Sequence, residues 1–117
     1  MLIIPASVKV HLALGNTDLR KRLDSLATLV RDSLKQNPFT GHLFAFRGRK
    51  ASTIKVLFWD RNGLCLFAKK LNESGFVWPR LSNPGGSVQL TPIQLALLIE
   101  GIDRRTPQKI WKPVATG

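Results

Sequence analysis

The 117-residue chain has no tyrosine, one cysteine, one methionine, two histidines and only seven acidic residues. Each scarcity removes a class of chemistry. A lone cysteine, Cys65, cannot form an intrachain disulfide framework and fits a reducing compartment. Set among Leu64, Leu66 and Phe67, it reads as a buried, inert thiol rather than a nucleophile. His11 and His42 stand at no metal-ligand spacing from each other or from Cys65, so no zinc site can be proposed. His42 follows Gly41 at the start of a strand and reads as structural or exposed. Phosphoryl transfer on two metal ions needs about three converging acids, whereas Asp18, Asp24, Asp32, Asp60, Glu73, Glu100 and Asp103 are scattered. Gly85-Gly86 lacks the Lys-Ser/Thr of a phosphate-binding loop, and no serine sits in a nucleophile elbow. No apolar run reaches the roughly 18 residues of a membrane span. The apolar start, residues 1–15, lacks the basic n-region and cleavage pattern of a signal peptide. The expectation is a cytoplasmic protein without catalytic residues, metal or cofactor.

Positive charge is abundant. Eighteen Lys and Arg against seven Asp and Glu give a net charge of +11 and a pI near 11.0. In a compact body such an excess sets a positive field over much of the surface, and the usual cellular polyanions are nucleic acid and anionic lipid. The charge falls into three clusters: Arg20-Lys21-Arg22, Arg47 with Arg49-Lys50, and Arg104-Arg105 followed by Lys109 and Lys112. The first is expected in the opening turn of a helix, where cations oppose the dipole and a bound phosphate would reverse that sign. Local neutralisation by Asp18 and Asp24 is the alternative. The second crowds a hairpin loop that can track a nucleic-acid backbone. Trp78 and Trp111 are the aromatic residues best placed to stack on bases or, equally, to anchor their segments, while Trp59 and Phe67 belong to strands and to the core.

Along the chain, Val8-Lys9-Val10-His11-Leu12 alternates with the period of a half-buried strand. Asn16 or Thr17 is expected to cap a helix whose stripe is Leu19, Leu23, Leu26, Ala27, Val30 and Leu34, ending before Asn37-Pro38. Strands follow at 41–47, 53–60 and 64–69. The last two are joined by Asp60-Arg61-Asn62-Gly63, where Asn and Gly accept positive φ. Ile54, Val56 and Phe58 face one side and Leu57 and Trp59 the other, so the sheet must be covered by helices or by a partner. Residues 72–86 form a long irregular connection, the segment expected to be most mobile. A short strand at 87–90 precedes Thr91-Pro92, an N-cap with proline at the first helical position. An apolar helix at 93–100 then ends at Gly101. The fold expected is α+β: an antiparallel β-meander of about three to five strands packed with two main α-helices. One domain spans 1–103 and a loose basic tail spans 104–117.

The motifs also come in a telling order. Thr17-Asp18-Leu19-Arg20-Lys21 is followed by Asn37-Pro38-Phe39-Thr40-Gly41-His42-Leu43-Phe44 running into Phe46-Arg47-Gly48-Arg49. Next come Lys55-Val56-Leu57-Phe58-Trp59-Asp60, Asn62-Gly63-Leu64-Cys65-Leu66, Phe76-Val77-Trp78-Pro79, Leu90-Thr91-Pro92 and Glu100-Gly101-Ile102-Asp103. This string resembles the small TnpB-like protein encoded by the second reading frame of insertion sequences of the IS66 type, over roughly residues 3–111. The family is unrelated to the RNA-guided nucleases that share the TnpB label. Phe67-Ala68 and Arg104-Arg105 depart from positions where aromatics are common. The resemblance implies a bacterial transposition accessory protein beside a separate, larger transposase that carries the acidic site.

Two readings of function follow. In the first, Arg20, Lys21, Arg22, Arg47, Arg49, Lys50, Arg104 and Arg105 contact DNA. In the second, the chain is a protein-interaction module that binds the transposase or another element-encoded protein through its two-sided apolar sheet and apolar final helix. The oligomeric state is not legible from the sequence.

Overall fold

A computed structural model describes residues 5–50, 52–72, 75, 76, 78 and 86–100. The elements run β1 (Val10–Ala13), α1 (Leu23–Asp32), β2 (Leu43–Arg47), β3 (Thr53–Trp59), β4 (Leu64–Lys70), β5 (Ser87–Leu90) and α2 (Pro92–Glu100). All five strands join one sheet in the order β4-β3-β2-β1-β5.

The meander expected from alternation and turn chemistry forms one half of that sheet. β2 pairs antiparallel with β3, Ala45 opposite Val56, and β3 pairs antiparallel with β4, Val56 opposite Phe67. The β3–β4 turn closes through the Asp60 N–H, which donates to the Gly63 carbonyl at 3.1 Å. Its left-handed residue is Arg61, at φ 99°, not Asn62 or Gly63.

A purely antiparallel sheet is overturned at β1. This strand runs parallel to β2, with Val10 opposite Leu43, and antiparallel to β5, with Val10 opposite Leu90. The sheet is therefore mixed. Parallel neighbours need a crossover of about a dozen residues or more, and the segment that carries α1 supplies it. Nor is β1 half-buried: with strands on both sides and a layer over each face, all four of its residues are buried.

Strand alternation sorts the core into two layers. Val10, Leu12, Ala45, Ile54 and Val56 pack with Leu95, Leu98 and Ile99 of α2. On the other face Ala13, Phe44, Phe46 and Leu57 pack with Leu26, Ala27 and Val30 of α1. Each helix thus covers one face. Leu26 and Leu95 are fully buried, and burying such a side chain contributes about 1.5–3 kcal/mol.

The helix ends show what local chemistry decides and what packing overrides. At α2 the Thr91 hydroxyl accepts the Gln94 N–H at 3.1 Å, and the Gln94 side-chain oxygen accepts the Thr91 N–H at 2.9 Å. This is a reciprocal capping box. At α1 neither Asn16 nor Thr17 is the cap; Arg22 holds that position, with extended backbone and no side-chain hydrogen bond. The expected first turn is drawn away, because the Thr17 N–H donates to the Arg47 carbonyl at 2.8 Å and the Lys55 ammonium holds the Leu19 carbonyl at 2.6 Å. Leu19 therefore packs onto the α1 layer from outside the helix. The helix also stops earlier than expected, at Asp32, because Lys35 turns left-handed at φ 56°.

Within the long 72–86 connection, Phe76 is buried and Trp78 packs beside it on the α2 layer. The Trp78 Nε1–H donates to the Ala13 carbonyl at 3.1 Å, so Trp78 anchors its segment.

Candidate nucleic-acid interface

An open groove of about 780 Å³ lies where the segment before α1 meets the β2–β3 loop. One wall is formed by Asn16, Thr17, Asp18, Leu19 and Arg20, and the other by Gly48, Arg49, Lys50 and Ser52. Lys55 on β3 and Lys70 on β4 complete it. Lys55 stands opposite Ala68, and Lys70 opposite Thr53, so the two lysines are diagonal neighbours on one sheet face. Such neighbours lie about 7–8 Å apart.

Local contacts hold the walls. Gly48 donates its N–H to the Thr53 carbonyl at 3.0 Å, closing the hairpin loop. A Cβ added at Gly48 would come within 3.3 Å of Leu19 Cδ1, so a residue without a side chain lets the two walls approach. Asp18 is the acid of the groove, and Arg20 neutralises it. The Arg20 backbone N–H and Nε both donate to Asp18 Oδ1 at 3.0 Å, and Nη2 donates to Oδ2 at 2.9 Å. These bonds hold the Asp18 carboxyl down at about 2. Arg20 itself is 91% exposed, which leaves the outer edge of its guanidinium facing solvent.

Over residues 8–109 the sequence matches the family described as IS66 Orf2-like protein. The chain belongs to the IS66 Orf2-like family. This is a family of insertion-sequence accessory proteins. Two uncharacterized proteins of Sinorhizobium fredii (strain NBRC 101917 / NGR234) are similar to this chain. One, y4hO, is 46% identical over 117 residues that span the whole of both chains. The other, y4jC, is 27% identical over 106 residues, 87% of this chain and 89% of the relative. No solved structure matches.

In this IS66 Orf2-like protein the sequence-derived cations divide. Arg20, Arg49 and Lys50 line the groove. Lys21 and Arg22 line an adjoining hollow that they share with Arg20 and Lys55. They precede α1 instead of occupying its first turn, where Asp24 is the acidic residue. Arg47 does not join them. It pairs with Ile54, whose side chain lies in the α2 layer. Its Nη1 donates to the Gly48 carbonyl at 3.3 Å, and its Nε is buried without a hydrogen-bond partner. Arg104 and Arg105 lie outside the described residues.

Lys55 and Lys70 also line the groove without belonging to the three sequence clusters, since Lys55 stands alone in a strand and the Lys69-Lys70 pair closes another. The signal is present: Lys55 interrupts the apolar strand β3 and Lys70 ends β4, both on the face opposite Ile54, Val56 and Phe67. Among the described residues no group of three or more His, Cys, Asp or Glu converges as metal ligands, and no helix is long and apolar enough to cross a membrane. Cys65 is half-buried on β4 instead of fully buried. A hydrogen bond involving Asp60, then burial and the Asp60 charge, push its thiol up from its ordinary value, which keeps it protonated and a poor nucleophile.

Proposed function

We infer that this insertion-sequence accessory protein is non-catalytic and binds nucleic acid through the groove between the segment before α1 and the β2–β3 loop. The observation that carries this reading is convergence. Arg20, Arg49, Lys50, Lys55 and Lys70 come from four separate places in the chain, yet all line one concavity. Asp18 offsets only Arg20, so Arg49, Lys50, Lys55 and Lys70 still give the concavity an excess of positive charge that a polyanion would meet favourably. Fluorescence anisotropy with terminal inverted-repeat DNA and with scrambled DNA, each across a salt series, tests it. Affinity should fall steeply with salt; absence of binding to either DNA at low salt sinks the reading.

A second reading, docking onto the transposase, draws on exposed apolar side chains. Phe39 is 47% exposed while packed edge-on against Trp59, ring centroids 5.5 Å apart. Ile93 on the apolar helix α2 is likewise open, at 73% exposed, so the aromatic pair and that helix both offer apolar contact. Co-purification with the transposase from nuclease-treated lysate, lost on Phe39→Glu, would favour it.

A further inference from the structure

We propose that the groove takes the sugar–phosphate backbone of a double helix in preference to the bases of a single strand, a refinement that rests on the nucleic-acid reading above. Proteins that hold single strands combine a basic channel with aromatic rings on which bases stack. Here the channel lacks the rings. The residues lining it are five cations, the acid Asp18 that Arg20 neutralises, small polar residues, Gly48 and Leu19, with no aromatic among them.

Nor can the neighbouring rings among the described residues swing in. Phe44 and Phe46 lie beneath the α1 layer, about 1% exposed. Phe58, Phe67, Phe76 and Trp78 pack into the layer on the opposite face of the sheet, and Trp78 is further tied to the Ala13 carbonyl. Trp59 pairs with Phe39 at the far end of β3. At about 3.3 Å per residue that is roughly 20 Å from Thr53 at the groove.

What remains is charge, and charge alone favours the duplex. Double-stranded DNA carries one phosphate per about 1.7 Å of axis, and each neutralised phosphate releases about 0.9 counterion, against about 0.7 on a single strand. The groove also presents its charge on a firm base. Lys55 is fixed to the Leu19 carbonyl and Arg20 to Asp18, while Lys70 stands exposed on β4.

The full chain is titrated by fluorescence anisotropy with a short mixed-sequence duplex and with oligothymidylate of equal length, across a salt series. Arg49→Gln and Lys70→Gln are measured alongside, both at exposed positions, with thermal melts to establish that each variant folds. The duplex should bind roughly tenfold tighter at equal ionic strength, and each variant should lower the log–log salt slope on duplex by about 0.9. Equal or tighter binding to oligothymidylate overturns the duplex preference and leaves nucleic-acid binding standing. Duplex binding with unchanged slopes in both folded variants overturns the groove as the contact. Binding to neither probe at low salt overturns the nucleic-acid reading itself.

Discussion

The ammonium of Lys69 on β4 donates a 2.9 Å hydrogen bond to the carbonyl of Ile99 in the last turn of α2. That helix has no basic residue of its own in its last turn. A strand thirty residues away in sequence therefore supplies the cation that the negative end of the helix dipole favours. Lys69→Met keeps the aliphatic stem and removes the charge. We expect a loss of about 1 kcal/mol in urea unfolding, with duplex affinity little changed because Lys69 points away from the groove. A variant as stable as the parent would show that water serves the Ile99 carbonyl equally well.

Lys35 follows α1 in a left-handed conformation, φ 56°, while Gln36 donates its N–H to the Val30 carbonyl at 3.1 Å. The chain thus leaves α1 through a left-handed residue just beyond the Ser33 cap, a conformation that glycine adopts without strain. Lys35→Gly should raise stability by about 0.5–1 kcal/mol, since release of side-chain strain outweighs the greater freedom of the unfolded glycine. Thermal and urea unfolding both read it, and a destabilised variant would contradict the assignment.

His11 is buried in β1, stacked on Phe44 with ring centroids 5.3 Å apart. Burial first, then the positive charge of neighbouring His42 and Lys9, lowers its pKa below the ordinary 6.5. The folded state therefore takes up its proton at lower pH than the unfolded state does. Below about 6.5 the unfolded chain binds the extra proton, so stability falls as pH drops from there to the lower folded value and then levels off. Melting temperature followed from neutral to mildly acidic pH should show this decline, and His11→Gln should flatten it. An unchanged profile in the variant would assign the decline to another group.

Arg47 and Arg49 separate two readings of one basic loop. The Arg47 head is held by the Gly48 carbonyl with its Nε buried and unpaired, whereas Arg49 is exposed on the groove. Arg47→Met should leave the salt slope of duplex binding unchanged and stability equal or higher, since an apolar residue of similar length avoids a buried polar atom without a partner. A fall in slope of about one for Arg47→Met would restore this residue to the interface.

Much of the chain was legible because its physics is local. Alternation and the Asp60–Gly63 turn are sufficient for β2, β3 and β4, since period and turn chemistry act within a few residues. Thr91 and Pro92 announce the start of α2 for the same reason. The start of α1 departs from that pattern: Asn16 and Thr17 are good capping residues, yet Arg47 and Lys55 draw that segment onto the strands.

The sequence by itself determined two main helices, the apolar faces of the central strands, the lack of recognisable catalytic motifs and a large positive charge. It also carried the motif order that the family match bears out. Tertiary structure alone decided that β1 inserts between β2 and β5, parallel to β2, because strand order depends on which crossover packs and no local period encodes it. The same holds for the groove. Arg20, Arg49, Lys50, Lys55 and Lys70 become one basic site only when the segment before α1 is laid against the β2–β3 loop, and charge along a chain says nothing of where the chain returns.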